Sequence, residues 1–296
     1  MKVFVTGASG FVGTVVVPDL LKSGHEVLGL ARSDESAAKI ASLGMGVKVV
    51  RGELQDLDIL KQAAAECDGV IHLGFVHDFS NFESCCRIDR DATEAMLKSL
   101  EGSGKSFIYT NGVLGLPAGR LSNEKDQADP NFASMRSGTE SIALNYKEKG
   151  VKVSSIRLSP TVHGKGDKGF LPALIGIAKS QGKSGYIAGG ENVWSAVNRL
   201  DVGHLYTLVL EKGTAGSAYH AVAEQGIKTK DIAKAVGEIA AVPIVSVPTE
   251  KAGEHFGFLG FLFGRDSPIS SELTRKELGW EPTNLGLIAD LHENYS

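Results

Sequence analysis

Residues 1–13, MKVFVTGASGFVG, decide the fold. An apolar strand pattern runs directly into glycines at every third position, Gly7, Gly10 and Gly13. In this arrangement the first glycine makes a tight turn, the second lets backbone N–H groups approach a pyrophosphate, and the third lets the next helix pack close to the strand. The N-terminus of that helix also attracts an anion. The stretch predicts a dinucleotide site formed by Gly7, Ser9, Gly10, Phe11, Val12 and Gly13.

Apolar runs alternate with helical patterns through the first half of the chain. The strand-like runs are KVFVTG, HEVLGLA, VKVVRG, GVIHLGF, KSFIYTNG and VKVSSIRL. Continuous apolar strands that alternate with helices are typical of a parallel sheet covered on both faces. With right-handed crossovers, the series predicts an α/β fold, a Rossmann-type doubly wound parallel sheet.

The alternating pattern loosens after about Gly164, where glycine-rich and aromatic segments replace it. We therefore predict a dinucleotide-binding domain over residues 1–165 and a smaller C-terminal substrate domain over residues 166–296. Parts of residues 186–225 are expected to return to the main sheet.

Composition narrows the class of protein. The formal net charge is −4 and no long basic block is present, so nucleic acid is a poor partner. The N-terminus lacks the apolar core of a signal peptide, and no run is long enough to span a membrane, which favours a cytoplasmic protein. Cys67, Cys85 and Cys86 form neither a disulfide framework nor a metal motif, so we expect buried thiols and no metal.

The end of the second strand bears on cofactor choice. An NAD site places an acidic residue there for the ribose hydroxyls, whereas this chain has Ala31 followed by Arg32 and Ser33. A guanidinium pairs well with a 2′-phosphate, so NADP(H) is preferred and NAD(H) is the alternative. In that alternative Asp34 binds the ribose and Arg32 is a solvated charge; Lys39 either adds positive charge or is simply exposed.

Several motifs together resemble an extended short-chain dehydrogenase/reductase. They are TGASGFVG, RGEL, DGVIHLGF, FIYTNGVLG, IRLSPTVHG and ELGWEP, which cover nearly the whole chain in the family's order. The resemblance implies that Glu53 contacts the adenine amino group, with Leu54 beside it, and that His72 and Gly74 line the diphosphate and ribose floor. It also implies that the backbone of one segment touches the nicotinamide carboxamide: Pro160, Thr161 and Val162.

The family's catalytic motif is missing from this chain. The resemblance implies that Thr110 holds the substrate carbonyl, with Asn111 as its neighbour if the register differs by one. Counted back from Glu140, the family's tyrosine falls on Phe132 and its lysine on Arg136, and none of the six tyrosines has a lysine four residues on. Arg136 remains charged, so it can bind the ribose or hold positive potential over a developing alkoxide, but it is no ordinary general acid. The chain resembles an atypical branch of the superfamily.

Three interpretations follow for the activity. The first is a reductase of an aldehyde, ketone or activated alkene, in which the cofactor supplies the hydride and the proton comes from water near Thr110, from His77 or from His163. The second is a sugar-nucleotide epimerase or dehydratase. This reaction normally needs a tyrosine base, so Phe132 at the tyrosine position counts against it. The third is a catalytically silent NADP(H) sensor. Each histidine also has an ordinary interpretation as a loop residue bonded to backbone, and Asp78 either orients His77 or is solvated.

The substrate is expected at the carboxyl ends of the strands and against the second domain. The candidates for contact with a small, fairly apolar carbonyl compound are Phe132, Trp194, Asn198 and Phe256. Aromatic residues at such spacing also serve as core or dimer packing. Asp201 is expected to cap the following helix, and Trp280 to lie in the core. The resemblance also allows a homodimer through the helices after strands four and five.

Overall fold

A computed structural model describes residues 1–78, 81–129 and 136–295 of the chain. Within these ranges the strands are β1 Lys2–Thr6, β2 Glu26–Ala31, β3 Val47–Arg51, β4 Gly69–His72, β5 Ser106–Gly112, β6 Lys152–Leu158, β7 Thr161–His163, β8 Ser184–Ile187, β9 Val193–Asn198, β10 Ala218–Ala221, β11 Glu224–Lys228 and β12 Ile244–Val247. The helices are α1 Gly13–Lys22, α2 Asp34–Ala41, α3 Leu57–Ala65, α4 Phe82–Ser99, α5 Arg136–Asn145, α6 Phe170–Gln181, α7 Arg199–Lys212, α8 Thr229–Ala240, α9 Ala252–Phe256, α10 Leu259–Phe263, α11 Glu272–Leu278 and α12 Leu287–Asn294.

The central sheet has seven strands in the order β10-β6-β5-β4-β1-β2-β3, and every neighbouring pair is parallel. The order reverses between β1 and β4, and in open α/β sheets ligands bind in the crevice beyond the carboxyl ends of the strands at such a reversal. The prediction of a Rossmann-type doubly wound parallel sheet is confirmed.

Two apolar layers hold the sheet between its helices. One layer contains buried residues of α1 and α7, such as Val16 and Val202. The opposite layer contains buried residues of α3, α4 and α5, such as Leu60, Met96 and Ala143. Strands covered on both faces must be apolar throughout, which explains the continuous apolar runs in the sequence.

The part of the chain after β6 forms smaller sheets and a separate apolar cluster. One small sheet has the order β11-β9-β7 and another pairs β12 with β8, while Trp194, Phe256 and Phe263 pack in the cluster beside them. β10 pairs with β6 at the edge of the large sheet, so a strand from within residues 186–225 does lie there. The domain boundaries at 165 and 166 stay a prediction.

A buried polar network joins the large sheet to the later part of the chain. The guanidinium of Arg157 on β6 lies 2.9 Å from the Glu140 carboxylate on α5. It also lies 3.4 Å from Nε2 of His220 on β10. Nδ1 of His220 is 2.8 Å from the carbonyl oxygen of Ser270, beyond the last small sheet. Burial and then Arg157 lower the pKa of His220 to about 3, so its imidazole is neutral.

Other expectations from composition can also be compared with the structure. Among the described residues, no helix is both long enough and apolar enough to cross a membrane. All three cysteines are buried free thiols, as predicted, and no group of potential metal ligands is found within the described ranges. Trp280 is fully buried, again as predicted.

Candidate active site

The glycine-rich loop lies in the crevice between the ends of β1 and β4. Gly7 has a φ of +69°, and a Cβ on it would lie 2.8 Å from the backbone nitrogen of Gly74. A Cβ on Gly13 would lie 2.2 Å from the carbonyl oxygen of Gly7. Side chains at these positions would therefore fill the space that the backbone needs at the N-terminus of α1. This cradle fits a dinucleotide pyrophosphate, which needs close backbone approach and a helix N-terminus.

The loop after β2 presents Arg32 as an exposed side chain, which has no ion-pair partner among the described residues. The hydroxyl of Ser33 accepts a hydrogen bond from the backbone N–H of Ser36 and caps α2. Asp34, the alternative ribose acceptor, lies 3.1 Å from the Arg51 guanidinium. Since Ala31 and Arg51 are paired in register on β2 and β3, two cations flank this edge of the crevice.

The remaining cofactor candidates lie around the crevice at different depths. Glu53 is exposed, and its backbone N–H donates to the Asp56 carboxylate at 2.8 Å. Leu54 packs beside Gly74. The Thr161 hydroxyl donates to the Ser195 carbonyl at 2.7 Å, so it is not available to the cofactor. Any contact of this segment with the nicotinamide carboxamide is therefore left to the backbone of Thr161 and of its half-buried neighbours, Pro160 and Val162.

A row of polar side chains crosses β1, β4 and β5 near their carboxyl ends. Register pairs Thr6 with His72 and His72 with Tyr109. Oγ1 of Thr6 is 2.6 Å from Nδ1 of His72, and the Tyr109 hydroxyl donates to the carboxylate of Asp89 on α4 at 2.5 Å. His72 is completely buried, so its side chain supports the crevice from beneath and does not line it, contrary to the prediction.

Arg136 begins α5 and covers this row. Its guanidinium donates to the carbonyl oxygen of Thr110 and lies 4.4 Å from the centre of the Phe75 ring. Nε of Arg136 is 3.9 Å from Oδ2 of Asp89, and 20% of the arginine side chain is exposed. Although burial opposes the charged form of both groups, Tyr109 and then Asp89 raise the pKa of Arg136, and Arg136 lowers the pKa of Asp89. The site therefore holds a fixed, partly buried cation with its own counter-ion.

The two candidates on β5 lie on opposite faces of the sheet. The Thr110 hydroxyl is 2.8 Å from the hydroxyl of Tyr206 on α7, away from Arg136. Asn111 alternates with it and shares the face of Tyr109. Asn111 is buried, with 5% of the residue exposed. Asn111 is therefore better placed than Thr110 to meet a substrate beside Arg136.

The structure separates the two candidate histidines. His77 is at the surface beside Phe75, with ring centres 5.2 Å apart, and partial burial followed by Arg136 lowers the pKa of its imidazole. His163 is completely buried, and its Nδ1 is 2.8 Å from the Asp290 carboxylate on α12. His163 is thus enclosed in a contact with the C-terminal helix, which contradicts its assignment as an accessible proton donor.

The proposed substrate contacts are mostly structural. Trp194 is fully buried and donates from Nε1 to the Leu262 carbonyl at 3.2 Å, and Phe256 is buried in the same cluster. Asn198 caps α7 by accepting from the Leu200 N–H at 3.0 Å. The cap was expected at Asp201, which instead holds the later segment through Thr283 and Asn284. Phe132 lies outside the described residues.

Four residues of the site were not found from the sequence: Phe75, Asp89, Tyr109 and Tyr206. Tyr109 adjoins the singled-out Thr110, and Phe75 follows the singled-out Gly74, so proximity to a strand end was one available signal. Asp89 lies on the buried face of the amphipathic helix α4, where a polar residue is the signal, whereas Tyr206 lies in α7, which is buried on several sides and gives no such pattern.

The glycine cradle, the switch-point crevice and the partly buried cation define a Rossmann-type nucleotide-dependent protein. A family model described as the NAD dependent epimerase/dehydratase family matches residues 3–222. The chain therefore belongs to that family, within the extended short-chain dehydrogenases/reductases, as its motifs predicted.

Known proteins resemble the chain over almost its whole length. The uncharacterized protein YLL056C of Saccharomyces cerevisiae is 58% identical and covers 100% of this chain and 99% of its own. A 4-hydroxy-2-methyl-3-oxo-4-farnesyl-3,4-dihydroquinoline-1-oxide ketoreductase of Stigmatella aurantiaca is 22% identical, with 95% and 92% covered. A dTDP-glucose 4,6-dehydratase from Streptomyces venezuelae, solved with NAD and TYD bound, has a TM-score of 0.78 at 19% identity, with 99% and 95% covered. This last likeness concerns the fold alone.

Proposed function

We propose that this protein is an NADP(H)-dependent reductase of a small, fairly apolar aldehyde, ketone or activated alkene. The observation that carries the proposal is the partly buried Arg136 cation beside the end of β5. A fixed, partly buried positive charge stabilises the negative charge that develops on a carbonyl oxygen when hydride is added. The reductase name of one relative, at 22% identity, is consistent with this chemistry.

The cofactor supplies the hydride when it is bound, and the protein supplies position and charge. The loop from Gly7 to Gly13 holds the pyrophosphate, and Arg32 takes the 2′-phosphate. Arg51 forms an exposed ion pair with Asp34 and so competes with the ribose hydroxyls for the carboxylate that would otherwise favour NAD.

The substrate carbonyl is held between Asn111 and Arg136, and His77 donates the proton. His77 shares Phe75 with Arg136, so the histidine lies on the same side of the site. Its lowered pKa means that it is largely neutral near pH 7 and donates best in mildly acidic solution.

Silent NADP(H) binding is the second candidate. Two tyrosines near Arg136, Tyr109 and Tyr206, favour it, because both are buried and burial raises the pKa of each phenol. Neither phenol is therefore suited to proton transfer near neutral pH.

Oxidation of NADPH across a panel of aldehydes, ketones and activated alkenes tests the two candidates. A reductase gives substrate-dependent oxidation, and Arg136→Gln slows it by about 10²–10³-fold. His77→Gln removes the proposed proton donor. His204→Gln, which changes an exposed histidine on α7, is its matched control. Tight NADPH binding without turnover on any compound would favour the silent protein.

Calorimetry with NADP⁺ and NAD⁺ tests cofactor choice separately. Arg32→Ala is compared with Lys179→Ala, which removes an exposed cation from α6. Only the first change is expected to weaken NADP⁺ binding.

A further inference from the structure

The buried groups beneath Arg136 form one connected chain that begins in the crevice. The backbone N–H of Gly74 donates to Oγ1 of Thr6 at 3.0 Å, and Thr6 in turn contacts Nδ1 of His72 at 2.6 Å. Nε2 of His72 lies 3.4 Å from Oδ1 of Asp89, an ion-pair distance at which neither atom makes a standard hydrogen bond within the described residues. Gly74 itself packs against Gly7 of the glycine-rich loop, so the chain runs from the phosphate-binding loop to the carboxylate.

The chemistry of these groups gives the chain a direction. A backbone N–H only donates, so Thr6 accepts from Gly74. Asp89 is an anion that only accepts, so an N–H on Nε2 of His72 is favoured over a lone pair facing the carboxylate. Nδ1 then accepts from the Thr6 hydroxyl. Donors thus point toward Asp89 from Gly74 onward.

Tyr109 fixes the other carboxylate oxygen. Its hydroxyl donates to Oδ2 at 2.5 Å, which is the oxygen nearest Nε of Arg136. Asp89 and His72 have fully buried side chains, so water does not compete for these contacts. Within the described part of the chain, Nε of Arg136 makes no standard hydrogen bond, so the guanidinium is oriented by the Thr110 carbonyl, the Phe75 ring and the Asp89 charge.

We propose that Asp89 is the positioning residue of Arg136, and that Tyr109 and the Gly74–Thr6–His72 chain fix its carboxylate relative to the crevice. This inference rests on the proposed function for its catalytic consequence, but the positioning itself does not depend on turnover. A carboxylate that only balances charge would need no fixed orientation. A positioning carboxylate needs both the charge and the hydroxyl that holds it.

Two variants separate these roles. Asp89→Asn removes the charge with little change in shape, and Asp91→Asn makes the same change at an exposed site on α4. Tyr109→Phe keeps the charge but releases the carboxylate, together with a weaker 3.4 Å contact from the hydroxyl to the backbone carbonyl of Arg136, and Tyr146→Phe is its control in the same apolar layer. If Asp89→Asn does not fold, Tyr109→Phe alone still tests whether a fixed carboxylate positions Arg136.

The first readout is the NMR signal of the Arg136 side-chain Nε–H, measured without substrate. We expect it to be sharp and protected from exchange in the wild type, broadened in Tyr109→Phe and lost in Asp89→Asn, with both controls unchanged. An Arg136 signal that is the same in the wild type, Tyr109→Phe and Asp89→Asn would overturn the proposal. This arm remains decisive if the protein has no reductase activity.

The second readout is steady-state kinetics with the substrate found in the panel. Misplacement of a catalytic charge by about 1 Å can cost about 10²-fold, so Asp89→Asn should lower kcat by that factor. Tyr109→Phe should lower it by about tenfold. Since the orientation matters in the transition state, KM should change far less than kcat. An unchanged kcat in folded Tyr109→Phe would mean that Asp89 is only a counter-charge, and would overturn the proposal.

Discussion

The buried imidazole of His220 makes the stability of this protein depend on pH in a calculable way. Nε2 faces the Arg157 guanidinium and Nδ1 faces the Ser270 carbonyl, so the neutral form with hydrogen on Nδ1 satisfies both contacts. Protonation of Nε2 would place a second buried positive charge against Arg157. Burial and Arg157 therefore lower the pKa from 6.5 to about 3.

The sign and size of the effect follow from linkage. In acid the unfolded chain binds a proton at His220 and the folded chain does not, so the free energy of unfolding falls as the pH drops below 6.5. Each pH unit between 6.5 and the folded pKa removes about 1.4 kcal/mol. Between about pH 7.5 and pH 5.0 the loss from this one group is therefore about 2 kcal/mol.

Urea unfolding of the wild type and of His220→Asn at those two pH values measures this loss. The asparagine amide keeps a donor toward Ser270 but does not titrate, so the wild type should lose about 2 kcal/mol more than the variant. His204→Asn, at an exposed position, should follow the wild type. Equal losses in wild type and His220→Asn would refute a neutral buried His220.

Three further predictions concern the site. Gly13→Ala should abolish dinucleotide binding in calorimetry, because its Cβ would lie 2.2 Å from the Gly7 carbonyl oxygen, whereas Gly176→Ala on α6 meets nothing within 4 Å and should leave binding intact. Arg32→Ala should weaken NADP⁺ binding by about tenfold and leave NAD⁺ unchanged, and equal affinity for both cofactors in wild type and variant would contradict the 2′-phosphate assignment. The reduction rate should fall as pH rises through the lowered pKa of His77, and His77→Gln should remove this limb and slow turnover by about 10²–10⁴-fold; an unchanged pH–rate profile would exclude His77.

The cofactor half of the fold was predictable because its determinants are local in sequence. The turn at Gly7 and the close packing at Gly13 each follow from a short motif. The continuous apolar strands indicate a sheet that is covered on both faces. The replacement of the family's lysine by Arg136 was equally predictable, because the absence of a Tyr-x-x-x-Lys motif can be read directly from the spacing of residues in the sequence.

The groups that surround Arg136 were not predictable because they meet only after folding. Asp89 comes from the middle of α4 and Tyr109 from β5, and nothing in their spacing indicates that they form a hydrogen bond. His163 shows the converse: its place after β6 suggested the nicotinamide end, but Asp290 near the end of the chain encloses it. Asn198 takes the capping role that was expected at Asp201, because α7 begins at Arg199 and Asp201 already lies in its first turn.

Single-turnover oxidation of bound NADPH, with the wild type and Arg136→Gln compared on the same carbonyl compound, tests the central claim most directly. We predict that the wild type oxidises NADPH in the presence of at least one apolar aldehyde or ketone. Arg136→Gln should still bind NADPH but react about 10²–10³-fold more slowly. Equal rates in the two proteins, or tight NADPH binding by the wild type with no oxidation on any compound, would contradict the account.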